Sequence, residues 1–374
     1  MLASLQDILD TVKSNTLTYQ QKLMCLGNIA ERLFDPRELL GYTDEEWQFL
    51  QNQMICDLNE GYAIYRPRYI LPDYNVYIKK GCEFLELPAP KDLDEALDGL
   101  LILYSHVPSI TTFPVYIGRL DMLLDPFITD EEQDYIKIKR FLNHVDKTVP
   151  DSFCHANIGP YDTKAGRLIL KAVIELEAPT PNMTIRYDKS KTSREFAELA
   201  AKACLLVSKP SFANDAYYIS DLGEQYGIAS CYNALPECGG AYTLTRLRLG
   251  TIARACKTVD EMVNELLPRV AKCALSTMDK RHKFVVEESN FFNTSFLEKE
   301  GFIKQTNFTG MFAIVGLADA TNHLLQQEGL NETFGKSQRG DEIATLIMDK
   351  LKEVTDNHEG VYAERTGNRY LLHA

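Results

Sequence analysis

The sequence of 374 residues lacks two features that would assign it to a broad class of function. It contains no apolar run of the roughly 20 residues that a membrane-spanning helix needs, since its longest runs, such as those at residues 100–104 and 311–315, are far shorter. It also lacks an excess of positive charge, because 40 Lys and Arg residues stand against 53 Asp and Glu residues, a net charge of −13. We therefore predict neither a membrane span nor a surface that binds nucleic acid or an anionic membrane.

The sequence also lacks the signs of a secreted protein. Residues 1–10 show neither the basic segment nor the sustained apolar segment of a signal peptide. The nine cysteines are odd in number and follow no framework spacing, which is typical of reduced thiols in the cytosol. These absences predict a cytoplasmic protein.

Motifs for the common cofactors are missing as well. There is no C-x-x-C pair, no H-E-x-x-H helix and no G-x-G-x-x-G turn, so the sequence predicts no bound metal and no dinucleotide site. The stretch at residues 329–337 resembles a phosphate-binding loop but has five residues between its glycines, where that loop has four. Cys154 and His155 are adjacent, and adjacent side chains of a strand point to opposite faces, which gives no support to a Cys–His hydrolase.

What the sequence does contain is typical of a globular α/β protein. Hydrophobic residues make up 45% and charged residues 25% of the chain, which are ordinary values. Capping boxes, each a Thr followed three residues later by Glu, predict helix starts at Thr43, Thr129, Thr192 and Thr258. The third of these helices should end before a proline at residue 210. Short β-branched or aromatic segments predict strands at residues 183–187, 226–232, 242–249 and 311–317.

Strands that alternate with helices pair in parallel through helical crossovers, which predicts an α/β sheet or barrel covered by helices. The first 60 residues have a purely helical pattern, and a proline-containing stretch at residues 66–90 follows them. The sequence thus predicts one large α/β domain at residues 61–374. Residues 1–60 would form a helical extension that caps this domain or makes a dimer.

The segment at residues 209–250 carries the strongest functional signal. It runs from a turn into a short strand, reaches Cys231 at the end of that strand, and continues through a second turn and two glycines into another strand. A buried structural role is the ordinary interpretation of a single cysteine. Here, however, paired glycines permit close backbone approach, and Asn233 and Glu237 add polar groups. The order predicts Cys231 at the tip of a tight loop, enclosed between buried strands.

This segment resembles the cysteine loop of glycyl radical enzymes, such as pyruvate formate-lyase and the anaerobic ribonucleotide reductases. The similarity lies in P-S-F-A-N-D at residues 210–215 and Y-G-I-A-S-C-Y-N at residues 226–233. Residues 243–253 and 310–319 are similar to segments of the anaerobic ribonucleotide reductase branch. The YjjI-type branch is more similar still, at residues 55–61, 68–73, 106–109 and 155–160. The resemblance extends from about residue 50 to the end of the sequence.

The resemblance implies a ten-stranded α/β barrel in two half-sheets, inside which a cysteine loop and a glycine loop meet. It implies that a glycyl radical, installed by a separate iron–sulfur activase that uses S-adenosylmethionine, takes a hydrogen atom from Cys231. The resulting thiyl radical would then abstract hydrogen from a small-molecule substrate. Cys238 would be an auxiliary thiol, or a pocket-lining or structural residue. The polar candidates for the substrate pocket are Asn157, Asn233, Glu237 and Arg246.

The sequence departs from the family at the radical glycine. In the family this glycine lies in an R-V-x-G-[YFW] motif near the C-terminus, and Gly61, Gly360 and Gly367 all lack the arginine–valine lead. We therefore expect a truncated or proteolysed barrel without its glycine loop, inactive by itself, with an open cavity beside Cys231. A naturally split enzyme, whose glycine resides on another polypeptide, is the alternative.

Two functions of other classes stay open at this point. The chain could be an inactive scaffold or binding module with the same fold. It could also be a thiolate-based transferase, which requires a base within hydrogen-bond reach of Cys231. Neither the substrate nor the type of reaction follows from the sequence.

Overall fold

The computed structural model describes residues 4–56, 63–108, 114–148 and 153–373. The first helices are α1 (Leu5–Lys13), α2 (Tyr19–Glu31), α3 (Pro36–Leu40) and α4 (Asp44–Gln51). Helix α4 is joined by ion pairs of Glu45 and Glu46 to Arg269 and Lys280 of a later helix, α13 (Leu267–Lys283). The stretch that the sequence predicts as purely helical also contains a short strand, β1 (Ile55–Cys56). The domain boundary predicted at residue 60 lies outside the described residues and stays a prediction.

The first large sheet consists of four strands that pair in parallel and in chain order. They are β3 (Tyr116–Arg119), β4 (His155–Ile158), β5 (Asn182–Tyr187) and β6 (Ser211–Asn214). The crossovers between them are helical, as predicted, and contain α7 (Leu120–Leu124), α8 (Glu131–Thr148), α9 (Lys164–Leu176) and α10 (Arg194–Val207). Strand β5 confirms the strand predicted at residues 183–187, and α10 ends before Pro210 as predicted. Strand β2 (Tyr69–Leu71) and helices α5 (Asn75–Lys80) and α6 (Leu93–Tyr104) precede this sheet.

The second sheet has five strands and is organised around β9 (Gly239–Arg248). Strand β9 pairs in parallel with β10 (Phe308–Val315), which pairs in parallel with β11 (Leu371–His373), whereas β1 and β2 pair antiparallel with β9. Its other helices are α12 (Leu249–Arg254), α14 (Phe291–Thr294), α15 (Phe296–Lys299), α16 (Leu317–Gln327) and α17 (Gln338–Asp356). Strands β9 and β10 confirm the strands predicted near residues 242–249 and 311–317. Short π-helical segments, Glu261–Leu266 and Phe284–Glu288, flank α13.

A buried hairpin links the two sheets in sequence. Helix α11 (Asp215–Leu222) leads into β7 (Tyr226–Ala229) and β8 (Asn233–Pro236), which pair antiparallel with each other. Every residue of both strands is buried. Apolar side chains of the hairpin, including Tyr226, Ile228 and Ala234, pack with Leu222 of α11 in a small cluster of their own. The hairpin is therefore part of the interior and not a surface loop.

The predicted ten-stranded barrel is not confirmed, although the α/β architecture with parallel strands is. The strands of the described residues form separate sheets of five, four and two strands, and no ring of paired strands closes. The sheets do not close because they end in strands that are paired on one side: β6 is an edge strand of the four-stranded sheet, and β11 is an edge strand of the five-stranded sheet. Each of these edges has one neighbouring strand within the part of the chain that the structure describes.

The predicted helix starts are correct to within one residue where the caps are resolved. The Thr43 hydroxyl accepts from the amide of Glu46, and the Thr258 hydroxyl accepts from the amide of Glu261. The boxes predicted at Thr129 and Thr192 are each wrong by one position, because Asp130 Oδ1 accepts from the amides of Glu132 and Gln133 and the Ser193 side chain caps α10. No helix in the described ranges combines the length and apolar character that a bilayer crossing requires.

Candidate active site

The turn of the hairpin consists of Ser230, Cys231 and Tyr232, which places the cysteine at the hairpin tip as predicted. Ser230 has φ of 54° and Tyr232 has φ of 74°. Both values lie in the left-handed region, where a residue with a side chain costs on the order of 1–3 kcal/mol and persists only when surrounding contacts hold it. The conformation on both sides of Cys231 therefore depends on what packs against the turn.

The predicted enclosure of Cys231 is wrong for the residues that the structure describes. Ser230 and Asn233 are buried, but Cys231 itself is exposed. Enclosure depends on what covers the turn, and within the described ranges the outer side of the turn is open. The hydrogen-bond partner of Cys231 Sγ is Nδ2 of Asn233, at 3.5 Å. The structure thus brings these two predicted site residues together.

A cleft of about 380 Å³ is lined by Tyr232 of the turn, but Cys231 is not one of its lining residues, so the predicted open cavity beside Cys231 stays a prediction. Its walls come from the hairpin (Tyr232 and Ala234), from α11, from the end of α17 and from β11. Two buried polar atoms, Ser230 Oγ of the turn and His373 Nε2, have no hydrogen-bond partner among the described residues. His373 itself lines the cleft. The two atoms leave hydrogen-bonding capacity for a group that is not among the described residues.

The parallel sheet holds the hairpin through side chains at alternate positions of its strands. Residues two apart in a strand point to the same face, and His155 and Asn157 of β4 both bond the backbone of the hairpin. Asn157 Nδ2 donates to the Ile228 carbonyl at 2.8 Å, and Asn157 Oδ1 accepts from the Ile228 amide at 2.8 Å. Both ends of this amide are thus engaged by β7. Asn157 thus fastens β7 to the sheet, and its predicted place in the substrate pocket stays a prediction.

His155 contacts the turn on both sides of the cysteine. Its Nδ1 lies 2.9 Å from the Ser230 carbonyl oxygen, and its ring meets the ring of Tyr232 edge-on, with centroids 5.2 Å apart. Its Nε2 lies 2.7 Å from Thr184 Oγ1. Burial lowers the pKa of His155 to about 4, so the imidazole is neutral at physiological pH.

The root of the hairpin is held by a buried ion pair. Arg186 of β5 donates from Nε to Asp215 Oδ1 at 2.8 Å, and both side chains are almost completely buried. The same guanidinium donates to the carbonyls of Tyr226 and Glu224 and lies 3.8 Å from the centre of the Tyr226 ring. The Tyr226 hydroxyl donates to Asp215 Oδ1 at 2.8 Å. The Arg186 side chain therefore fixes the start of β7 through an ion pair with Asp215, hydrogen bonds to backbone carbonyls and a cation–π contact with Tyr226.

Glu237 and Cys238 lie at the root of the hairpin, at the other end of β8 from Cys231. Glu237 is buried and accepts from the Tyr116 hydroxyl at 2.9 Å. Cys238 is also buried, its thiol donates to the Gly301 carbonyl, and burial raises the pKa of this thiol to about 11. The structure does not bring either residue to Cys231. Arg246, the remaining polar candidate, lies on β9 opposite Cys56 of β1.

The buried Glu237 carboxyl is expected to make the free energy of unfolding depend on pH. Burial, followed by the nearby charge of Asp73, raises the pKa of Glu237 from 4.5 to about 7. Between these values the folded state keeps a proton that the unfolded state has released, so the free energy of unfolding falls as the pH rises, by about 3 kcal/mol in total. We expect Glu237→Gln to remove this component, so that the variant gains stability relative to the parent from pH 5 to pH 7.

Urea unfolding of parent and variant across this pH range measures the effect. Asp121, whose pKa burial raises to about 6, adds a slope of the same sign to both proteins, and it cancels in their difference. A difference in unfolding midpoint that stays constant with pH would contradict the raised pKa of Glu237.

His155 and Arg186 are the residues of this site that sequence reasoning missed. The sequence shows His155 next to Cys154, whereas its hydrogen-bond partner on the hairpin lies 75 positions away. The usable signal was the spacing of His155 and Asn157, which places both on one face of a strand. Among the described residues, no three His, Cys, Asp or Glu side chains lie close enough to hold a metal ion.

The overall fold is similar to that of solved anaerobic ribonucleotide reductases. The chain is similar to the anaerobic ribonucleotide reductase from Thermotoga maritima with citrate in the active site, with a TM-score of 0.72 and 12% identity over 98% of this chain and 75% of that chain. A further anaerobic ribonucleotide reductase gives a TM-score of 0.74 and 10% identity over 98% of this chain and 68% of that one. At such identities the likeness shows the fold alone.

Sequence comparisons are more specific. The family model described as "Glycyl radical enzyme YjjI-like" matches residues 17–374. An uncharacterized protein of Haemophilus influenzae is 92% identical over 374 residues, which is 100% of this chain and 73% of that protein. The uncharacterized protein YjjI of Escherichia coli is 42% identical over 366 residues, 97% of this chain and 70% of that protein. The chain belongs to the YjjI-like family of glycyl radical enzymes.

Proposed function

We propose that this protein takes part in radical catalysis with Cys231 as the thiyl site. The observation that supports this role most directly is the placement of Cys231 at the exposed tip of a buried hairpin, next to Tyr232, which lines a cleft of about 380 Å³. The hairpin is fastened to the sheet by Asn157, His155 and Arg186, so the sulfur is carried on a rigid support. Rigid positioning is what a hydrogen-atom transfer between neighbouring groups requires.

The radical glycine is proposed to lie outside these 374 residues. No R-V-x-G-[YFW] motif occurs in them, and the Haemophilus influenzae relative has further sequence, since the match covers 73% of it. The residues around the turn fit an additional polypeptide segment, because Cys231 is exposed and Ser230 Oγ and His373 Nε2 are without partners in the described ranges. A glycyl radical on such a segment would supply the unpaired electron. The same segment could add strands to the open edges of β6 and β11.

The chemistry assigned to this chain is a hydrogen-atom transfer at Cys231. Its S–H bond breaks homolytically, the hydrogen atom leaves to the radical, and the unpaired electron stays on Sγ. The thiyl radical then takes a hydrogen atom from a small-molecule substrate bound next to it, which restores the thiol and leaves the unpaired electron on the substrate. Asn233 Nδ2 donates toward the sulfur and orients it. The proposed partner is a radical S-adenosylmethionine activase with an iron–sulfur cluster.

The experiment that tests this function needs no knowledge of the substrate. We expect the full-length protein, activated anaerobically with its activase, S-adenosylmethionine and a reductant, to show a glycyl radical doublet in electron paramagnetic resonance. In D₂O the thiol becomes S–D, and Cys231 would give deuterium to the glycine and take hydrogen back. The doublet splitting should therefore collapse. Omission of S-adenosylmethionine is the control, and a radical whose splitting persists in D₂O would contradict the role of Cys231.

A thiolate-based transferase has less support from the site. The hydrogen-bond partner of Cys231 Sγ among the described residues is the Asn233 amide, which is not a base. The nearby imidazole of His155 is occupied by the Ser230 carbonyl and the Thr184 hydroxyl. A nucleophilic cysteine needs a base that can take its proton.

A further inference from the structure

We infer that His155 is a positioning residue that sets the place of Cys231 Sγ by holding the two residues that flank it. The inference rests on the proposed role of Cys231. His155 belongs to β4 and contacts Ser230 and Tyr232 of the turn, whereas Cys231 between them is exposed. The imidazole thus acts through the turn and does not touch the reacting atoms.

The contacts of His155 match the two strained positions of the turn. Ser230, with φ of 54°, receives the Nδ1 hydrogen bond on its carbonyl oxygen at 2.9 Å. Tyr232, with φ of 74°, packs its ring edge-on against the imidazole. Left-handed residues other than glycine relax unless their surroundings hold them. One side chain therefore holds both residues that decide where the sulfur points.

The hydrogen bonds fix which nitrogen of His155 carries the proton. A carbonyl oxygen can only accept, so the Ser230 contact requires a hydrogen on Nδ1. In the neutral ring, which burial favours, Nε2 is then an acceptor and the Thr184 hydroxyl donates to it at 2.7 Å. Thr184 Oγ1 in turn lies 2.7 Å from the hydroxyl oxygen of Ser211 on β6. A directional chain of hydrogen bonds therefore runs across three parallel strands to the cysteine turn.

The consequence is a dependence of hydrogen-atom transfer on this one side chain. Reacting atoms must approach to roughly 3–3.5 Å, and a displacement of about 1 Å can slow a reaction on the order of 10²-fold. A turn that loses the bond to Ser230 gains freedom at the residue directly before the sulfur. We expect slower transfer without a change in the radical that drives it.

Two substitutions separate the bond to Ser230 from the rest of the imidazole. Asn places its amide nitrogen where His carries Nδ1, so His155→Asn can still donate to the Ser230 carbonyl. Gln places its amide near the position of Nε2, so His155→Gln keeps contact with Thr184 and loses the bond to Ser230. Both variants lose the ring that packs against Tyr232. The two variants are therefore similar in size and polarity and differ in whether they keep the hydrogen bond to the Ser230 carbonyl.

The measurement is the rate at which solvent deuterium enters the glycyl radical of the activated full-length protein. We expect His155→Gln to slow this rate on the order of 10²-fold and His155→Asn to slow it less than about 10-fold, with equal radical yields. A merely structural role would instead lower the radical yield and the unfolding midpoint of both variants together. Exchange at the parent rate in His155→Gln, or equal slowing in both variants, would overturn the inference.

Two further proteins complete the test. Cys231→Ser tests the proposed function separately from the positioning role of His155. If Cys231→Ser exchanges deuterium at the parent rate, the proposed function is wrong. If Cys231→Ser abolishes exchange but His155→Gln exchanges at the parent rate, only the positioning role of His155 is wrong. If His155→Gln does not fold, the same exchange rate is measured in Tyr232→Ala, which removes the ring that packs against His155 at an exposed position. Slowing on the order of 10-fold in that variant supports the inference, and an unchanged rate overturns it.

Discussion

Replacing Cys231 with serine is expected to abolish both substrate turnover and deuterium entry into the glycyl radical while leaving the radical itself in place. Serine keeps nearly the same shape and hydrogen-bonding capacity, but an O–H bond is much stronger than an S–H bond. A carbon radical stabilised by its peptide neighbours therefore cannot take the hydroxyl hydrogen. Because Cys231 is exposed at a turn, the substitution should not disturb the packing of the hairpin.

Cys238→Ser is the matched control for this experiment. The same atom is exchanged at the opposite end of β8, where the buried Cys238 thiol donates to the Gly301 carbonyl. A serine hydroxyl can make the same hydrogen bond, so we expect deuterium exchange close to the parent rate. Loss of exchange in this control would identify Cys238 as a second essential thiol. Substantial exchange in Cys231→Ser would refute the assignment of the thiyl site.

The position of Cys231 was predictable because it depends on local sequence. A short strand, a cysteine, a turn and a second strand follow one another within residues 226–236, and this order alone specifies a hairpin with the cysteine at its tip. The parallel sheet was predictable for a similar reason, since strands alternate with helices. Both features are set by contacts between elements that are adjacent in the chain.

The enclosure of Cys231 was not predictable because it depends on distant elements. Whether a turn is covered depends on segments far away in sequence, and the closure of a barrel depends on pairing between edge strands such as β6 and β11. The role of His155 is of the same kind, because its partners Ser230 and Thr184 come from two other elements. A local pattern shows which face such a residue occupies but not what it meets there.

The largest effect on stability is expected at the buried pair of Arg186 and Asp215. Their side chains retain 2% and 1% of their exposure, and Arg186 Nε lies 2.8 Å from Asp215 Oδ1. Removing one partner of a buried pair leaves a charge without compensation, which costs about 3–5 kcal/mol. We expect Asp215→Ala to destabilise the protein by this amount, since Arg186 would keep its charge in a site where solvent cannot reach it. Urea unfolding measures the loss.

An exposed ion pair of the same chemistry provides the control. Arg194 and Glu198 lie four residues apart on α10, with Nε 2.7 Å from Oε1, but 87% and 63% of their side chains are exposed. Such pairs contribute less than about 0.5 kcal/mol, so Glu198→Ala should hardly move the unfolding midpoint. Because Arg186 also binds the Tyr226 and Glu224 carbonyls, Asp215→Ala should loosen the root of the hairpin as well. Equal effects of Asp215→Ala and Glu198→Ala would show that the buried pair does not anchor the hairpin that carries Cys231.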